Sequence, residues 1–220
     1  MDKINKLMEV QWQGKRRRLR GQSIVEFTLL LPLLLMLLSS LIEFGFALNE
    51  YLDLIDTTRE TARYLSDQDP FDDPVTKSYR EDFYTEGVTE MSRTIERAGW
   101  IDLDTSSDDL VISVFSVMGD TSLTRFPASF SDGRSPCDGD QNGGNKGWRM
   151  NCSMETKFTD TEILNRIKTT SDVPPNNGIV LVEIFYTYHM RLGLPWVTGI
   201  VGDSIILHAY SFAPNAAAEP

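Results

Sequence analysis

Glu26 is the only acid between Glu9 and Glu43, and it stands directly before Phe27–Ile42, sixteen residues without a formal charge. A carboxylate entering hydrocarbon is costly unless it is hydrated, neutralised or paired with a cation. Two chemistries therefore suit Glu26: hydration at the level of lipid headgroups, or neutralisation by a partner. Glu43 poses the same problem at the far end of the run, where Phe44, Phe46 and Leu48 follow it. Snorkelling or water access at the outer interface is the cheaper solution there, and an assembly contact is the alternative.

Other chemistry-bearing residues lie further on. Asp138, Asp140 and Asn142 alternate ahead of Gly143, like the first half of a calcium-binding loop. The twelfth place is Arg149 where a bidentate acid is required, so an ordinary polar turn competes with the calcium reading. Cys137 and Cys152, fifteen positions apart, suit a disulfide if the domain is external, and two reduced thiols otherwise. Two histidines, His189 and His208, and two cysteines make no zinc set. Without triad spacing, a phosphate-binding glycine motif or paired ligand histidines, neither an enzyme nor a cofactor is expected. Leu192, Leu194, Trp196 and Val197 gather in the turn-like "MRLGLPWVTGI", either to close a core or to touch a membrane surface or another protein.

The elements that must position these residues begin with an uneven charge distribution. The first 21 residues carry seven Lys/Arg against Asp2 and Glu9, leaving the other 199 residues at net −16. An acidic main domain repels phosphates, and the cluster Lys15, Arg16, Arg17, Arg18 and Arg20 lacks an aromatic platform, so nucleic acid is not expected as a partner. Beside an apolar run, the cluster instead retains the N-terminus in the cytoplasm.

Extended to Leu48, the apolar segment reaches 22 residues, within the roughly 17–25 needed to cross a bilayer. A buried core helix would not show leucine on every side, and a removable signal peptide would end in small residues. Helical spacing instead continues through Tyr51, Leu54, Ile55, Thr58, Ala62 and Leu65, so the membrane helix runs on into a soluble one. The acidic, proline-containing "SDQDPFDDP" ends it. Tyr84, Val88, Met91, Ile95 and Ala98 form a second helical stripe closed by Gly99. Strands are expected at Leu110–Gly119, Gly178–Met190 and from Asp203, with a short helix over Asp160–Lys168 and an otherwise irregular interval from 119 to 178. The arrangement expected is α+β: a long N-terminal transmembrane helix continuing into a small extracytoplasmic domain, with an antiparallel sheet and one or two packed helices.

The stretch from Gly21 to about Leu65 resembles the N-terminal signature of TadE-like proteins, pilin-like components of tight-adherence (Tad/Flp) pilus systems. The resemblance rests on a basic leader, Gly21 followed five positions later by Glu26, the aromatic Phe27, a leucine-rich span with the early Pro32, and "IEFG" leading to "TTRETARYL". It implies cleavage between Gly21 and Gln22 by a prepilin peptidase and a processing or assembly role for Glu26 and Phe27. It also implies residues 1–21 as a cytoplasmic leader, 22–66 as a transmembrane and assembly helix, and 67–220 as an extracytoplasmic domain. The implied location is the bacterial inner membrane, crossed once, with incorporation into the pilus as a further expectation. The implied partners are the membrane, prepilin peptidase, pilins and Tad inner-membrane assembly proteins. A permanently anchored ligand-binding module would use the same topology but keep its leader.

Overall fold

The computed structural model describes residues 19–73, 75–99, 101–104, 106–119, 122–127, 137, 147–167 and 177–220. They fall into two compact units, Met1–Phe46 with Met190–Asp203, and Ala47–His189 with Ser204–Pro220. Helix α1, Leu19–Ser66, contributes to both and continues through Pro32.

In the first unit α1 is bare. Ile24, Val25, Phe27 and every leucine from Leu29 to Leu38 are exposed all around the helix, a pattern that differs from a helix packed in a core and is consistent with a membrane anchor. It is the one helix among the described residues long and apolar enough to cross a membrane. The unit is completed by the segment between strand β6 (Asn177–His189) and strand β7 (Ser204–Pro214), which holds helix α4, Pro195–Val201. Sequence patterning suggested only a turn there. Proline at the start of α4 supplies the fixed φ that a first helical residue needs.

The second unit is an antiparallel sheet between helices. Its path is β4 (Ser122–Phe126), β3 (Asp109–Met118), β6 (Asn177–His189) and β7 (Ser204–Pro214). The two-residue β5, Trp148–Arg149, pairs with β3 at Val111 and Ile112, beside the stretch that β4 covers from Val114. Both β4 and β5 lie in the interval read from sequence as irregular. They are too short to show alternation, and they form because β3, buried over nine of its ten residues, would otherwise leave an edge unpaired. A further pairing joins β1, Phe71–Asp73, inside the acidic turn region, to β2, Ser78–Tyr79, just beyond it.

Alternation along β6 assigns its two faces. Val180, Val182 and Ile184 pair across to Val114, Ile112 and Leu110, and this face meets α1 and α2 (Glu81–Ala98). The approach is close: a Cβ on Gly87 of α2 would stand 2.8 Å from Ile112 Cδ1 and 3.1 Å from Leu65 Cδ1. The buried stripe of α2 is Phe83, Tyr84, Gly87, Met91 and Ile95, whereas Val88 and Ala98 of the expected stripe are only half-buried. Gly99 ends α2 at φ 72°, with its N–H on the Ile95 carbonyl, as a left-handed cap requires. The opposite face packs Phe115 and Leu181 against Phe158 and Ile163 of α3, Asp160–Ile167. Burying both faces explains why β6 is nearly continuous in apolar residues.

Asn215, just after β7, fixes the end of α1. Its Nδ2 donates to the Leu65 and Gln68 carbonyls at 3.0 and 2.9 Å, and its Oδ1 accepts from Ala218 N. The helix therefore stops on a side chain about 150 positions away, and not only because prolines follow.

Candidate functional site

Within the first unit, Ser39 and Glu43 are one helical turn apart and share a face of α1. Between Ser23 and Phe46 they are the only residues not exposed: Ser39 is half-buried and Glu43 is 4% exposed. The β6–β7 segment covers them. Glu43 Oε1 accepts the Arg191 N–H at 2.7 Å, Oε2 accepts the Leu192 N–H at 2.8 Å, and Trp196 Nε1 donates to Ser39 Oγ at 3.0 Å. The expectation that Glu43 snorkels to water is thus corrected: a carboxylate with one backbone donor on each oxygen is satisfied in place. Core closure by the Leu192–Val197 cluster is corrected too, because no residue of α4 is buried, and Leu192 and Trp196 remain 41% and 37% exposed.

At the start of α1, Gly21 and Gln22 lie in its first turn. Glu26 and Phe27 are exposed on its surface one turn further on, and Thr28 returns its hydroxyl to the Ile24 carbonyl at 2.8 Å. The leader cluster Lys15, Arg16, Arg17 and Arg18 is outside the described residues, as are Asp138, Asp140 and Asn142 of the calcium candidate. Cys137 and Cys152 are joined as a disulfide with Cα atoms 5.5 Å apart.

The second unit buries acids that sequence patterning did not single out. Asp108 accepts the N–H groups of Asp104 and Thr187, and Asp109 accepts those of Asn151 and Met154. Glu183, fully buried on β6, accepts from the Thr156 hydroxyl, from Lys157 N at 3.1 Å and from His208 Nε2 at 3.0 Å. His208 in turn stacks on Phe185 at 4.5 Å. The order is hydroxyl, carboxylate, imidazole. Nucleophile activation needs the imidazole in the middle, so this cluster is built to stitch the 154–158 segment to the sheet. The other histidine, His189, ends β6 exposed. Arg125 on β4 makes a comparable tie, reaching Asp160 Oδ1 at 3.0 Å and the Phe158 carbonyl at 2.6 Å.

These arrangements place the chemically distinctive features on α1: a first turn holding Gly21, an exposed acid at its apolar boundary, and a lipid-like surface beyond. Residues 21–63, from that glycine to the last turn of α1, match the family model of TadE-like proteins. No curated protein matches the chain, and no solved structure does.

Proposed function

We propose that the chain is a non-enzymatic, prepilin-like or minor component of a tight-adherence type IV pilus. It is inserted in the bacterial inner membrane with the basic leader in the cytoplasm, cut between Gly21 and Gln22 by a prepilin peptidase, and held by α1 while the acidic domain faces outward. The observation that carries this reading is the succession on one helix of Gly21, Glu26 and a surface bare on all sides, within the stretch similar to TadE-like proteins.

The physical role follows from the cut. Cleavage creates an ammonium group at Gln22, one helical turn before Glu26, so a neighbouring helix displaced by about one turn brings its own ammonium to the level of this carboxylate. A neighbouring pilin supplies that ammonium to the carboxylate, and the pairing removes the cost of an acid at the edge of hydrocarbon. Apolar side chains from Phe27 onward then pack against other pilin helices in place of lipid, as helix association in membranes requires close van der Waals contact. Assembly thus depends on Glu26 twice, for register and for neutrality.

Deleting the chain is expected to reduce surface filaments, and restoring it with Glu26→Ala is expected to give a cut protein that stays in the membrane. Unchanged filament number in the deletion strain removes the pilus reading.

A further inference from the structure

The β6–β7 segment carries an apolar surface with a defined seat. Its eleven residues from Leu192 to Gly202 hold no charge, and Ile200 is 86% exposed, with Val201 at 50% beside it. Scattered exposed apolar residues are ordinary, but here Leu192, Trp196, Ile200 and Val201 fall in one short uncharged stretch.

Two observations say what covers it. The first is position: the segment is fastened to α1 at Ser39 and Glu43, where the uncharged run Phe27–Ile42 ends. Trp196 therefore stands at the end of the apolar surface that α1 presents from Ile24 to Ile42, and Ile200 lies one helical turn from it on α4. The second is backbone satisfaction. Met190 N donates to the Asp203 carbonyl, Val197 N and Thr198 N to the Leu194 carbonyl, and Gly202 N to the Thr198 carbonyl, while Glu43 takes the N–H groups of Arg191 and Leu192. Outside α4 and its caps, the Met190, Arg191 and Leu192 N–H groups thus have protein acceptors, as backbone entering an apolar medium needs. Tryptophan, with an apolar ring and one engaged N–H, is a residue type of the membrane–water interface.

We propose that Leu192–Gly202 is a membrane-docking loop, whose Trp196, Ile200 and Val201 side chains enter the headgroup–acyl boundary of the bilayer that α1 crosses. The occupant of this surface is lipid. The inference rests on the reading of α1 as membrane-spanning, and adds a second, interfacial attachment fixed to it through Glu43. The carboxylate that looked like a liability in the apolar helix becomes the acceptor that lets a loop lie against hydrocarbon.

The test uses the full chain, its two native cysteines bonded to each other, in vesicles of phosphatidylethanolamine and phosphatidylglycerol. Nitroxide is attached in turn to Ile200→Cys, to Leu37→Cys on the bare part of α1, and to Val75→Cys, which is 88% exposed in the second unit. The Ile200 label is expected to relax more with oxygen than with a water-soluble nickel chelate, as at Leu37 and opposite to Val75. An aqueous signature at Ile200 with a lipidic one at Leu37 overturns the docking loop alone. Protection of Ile200 from both reagents means burial against protein and overturns it as well. An aqueous signature at Leu37 defeats the membrane-spanning reading, and the loop proposal with it.

Discussion

Glu43 and Arg191, 148 positions apart in the chain, meet at 2.7 Å, the carboxylate of one accepting the backbone N–H of the other. A second donor, Leu192 N, occupies the remaining oxygen. The contact joins a helix written in one part of the sequence to a loop written in another.

Removing that acceptor has a local signature. Hydrogen bonds to a charged group contribute about 1.5–3 kcal/mol each, so Glu43→Ala is expected to raise amide exchange at Arg191 and Leu192 by at least about tenfold. Glu43→Gln keeps one acceptor and turns an NH2 toward the other amide, so its exchange falls between the two. Exchange at both amides unchanged in Glu43→Ala contradicts the clamp.

Glu183 is expected to be the costliest single side chain to remove from the second unit. Its replacement by alanine leaves the Lys157 N–H, the Thr156 hydroxyl and His208 without their shared acceptor, and hydrogen bonds to a charged group contribute about 1.5–3 kcal/mol each. His208→Phe keeps two of the three donors on the carboxylate and should cost less. Denaturant unfolding in detergent gives the order, and a larger loss for His208→Phe than for Glu183→Ala reverses it.

Tyr84 offers the opposite sign. Its ring stacks on Trp148 at 5.5 Å, but its hydroxyl is buried without a hydrogen-bond partner among the described residues, and burial pushes the phenol well above its ordinary value. Tyr84→Phe keeps the ring and deletes the stranded hydroxyl, whose desolvation costs about 1–3 kcal/mol. Melting temperature is expected to hold or rise, and a clear fall shows that the hydroxyl has a partner.

Acid should weaken the second unit through surface carboxylates. The Thr159 N–H, then its hydroxyl, hold Glu162 below the ordinary carboxylate value; the Ser106 hydroxyl, then its N–H, do the same for Asp104. Because the folded values are lowered, the folded state binds fewer protons than the unfolded chain. Their contribution is present in full above the unfolded values near ~4, and is lost as pH falls through the folded ones. Melting temperature is expected to be flat above about pH 5 and to drop below about pH 4, less steeply in Glu162→Gln. A rise in stability on acidification through that range has the wrong sign for this mechanism.

The elements legible in the sequence are those whose signal is local. Leucine on every side marked α1, alternation marked β6, and Gly99 marked the end of α2. Strands β4 and β5 were hidden because two to five residues carry no period, and only the edge of β3 gives them a place. The clamp on Glu43 was hidden for a different reason. A buried acid and an apolar turn each look like a defect when read alone, and the partner that explains both stands far along the chain. Glu183 likewise carried no local signal, since its donors come from a loop and from β7. The boundary carboxylate Glu26 was visible because composition changes sharply there, and the surface around it is as bare as its apolar neighbours suggest.

In the function proposed above, α1 begins its working life at Gln22. N-terminal sequencing of the membrane-expressed chain, with and without a prepilin peptidase, tests it most directly. A mature terminus at Gln22 is expected only when the peptidase is present. Retention of Met1 under both conditions contradicts it.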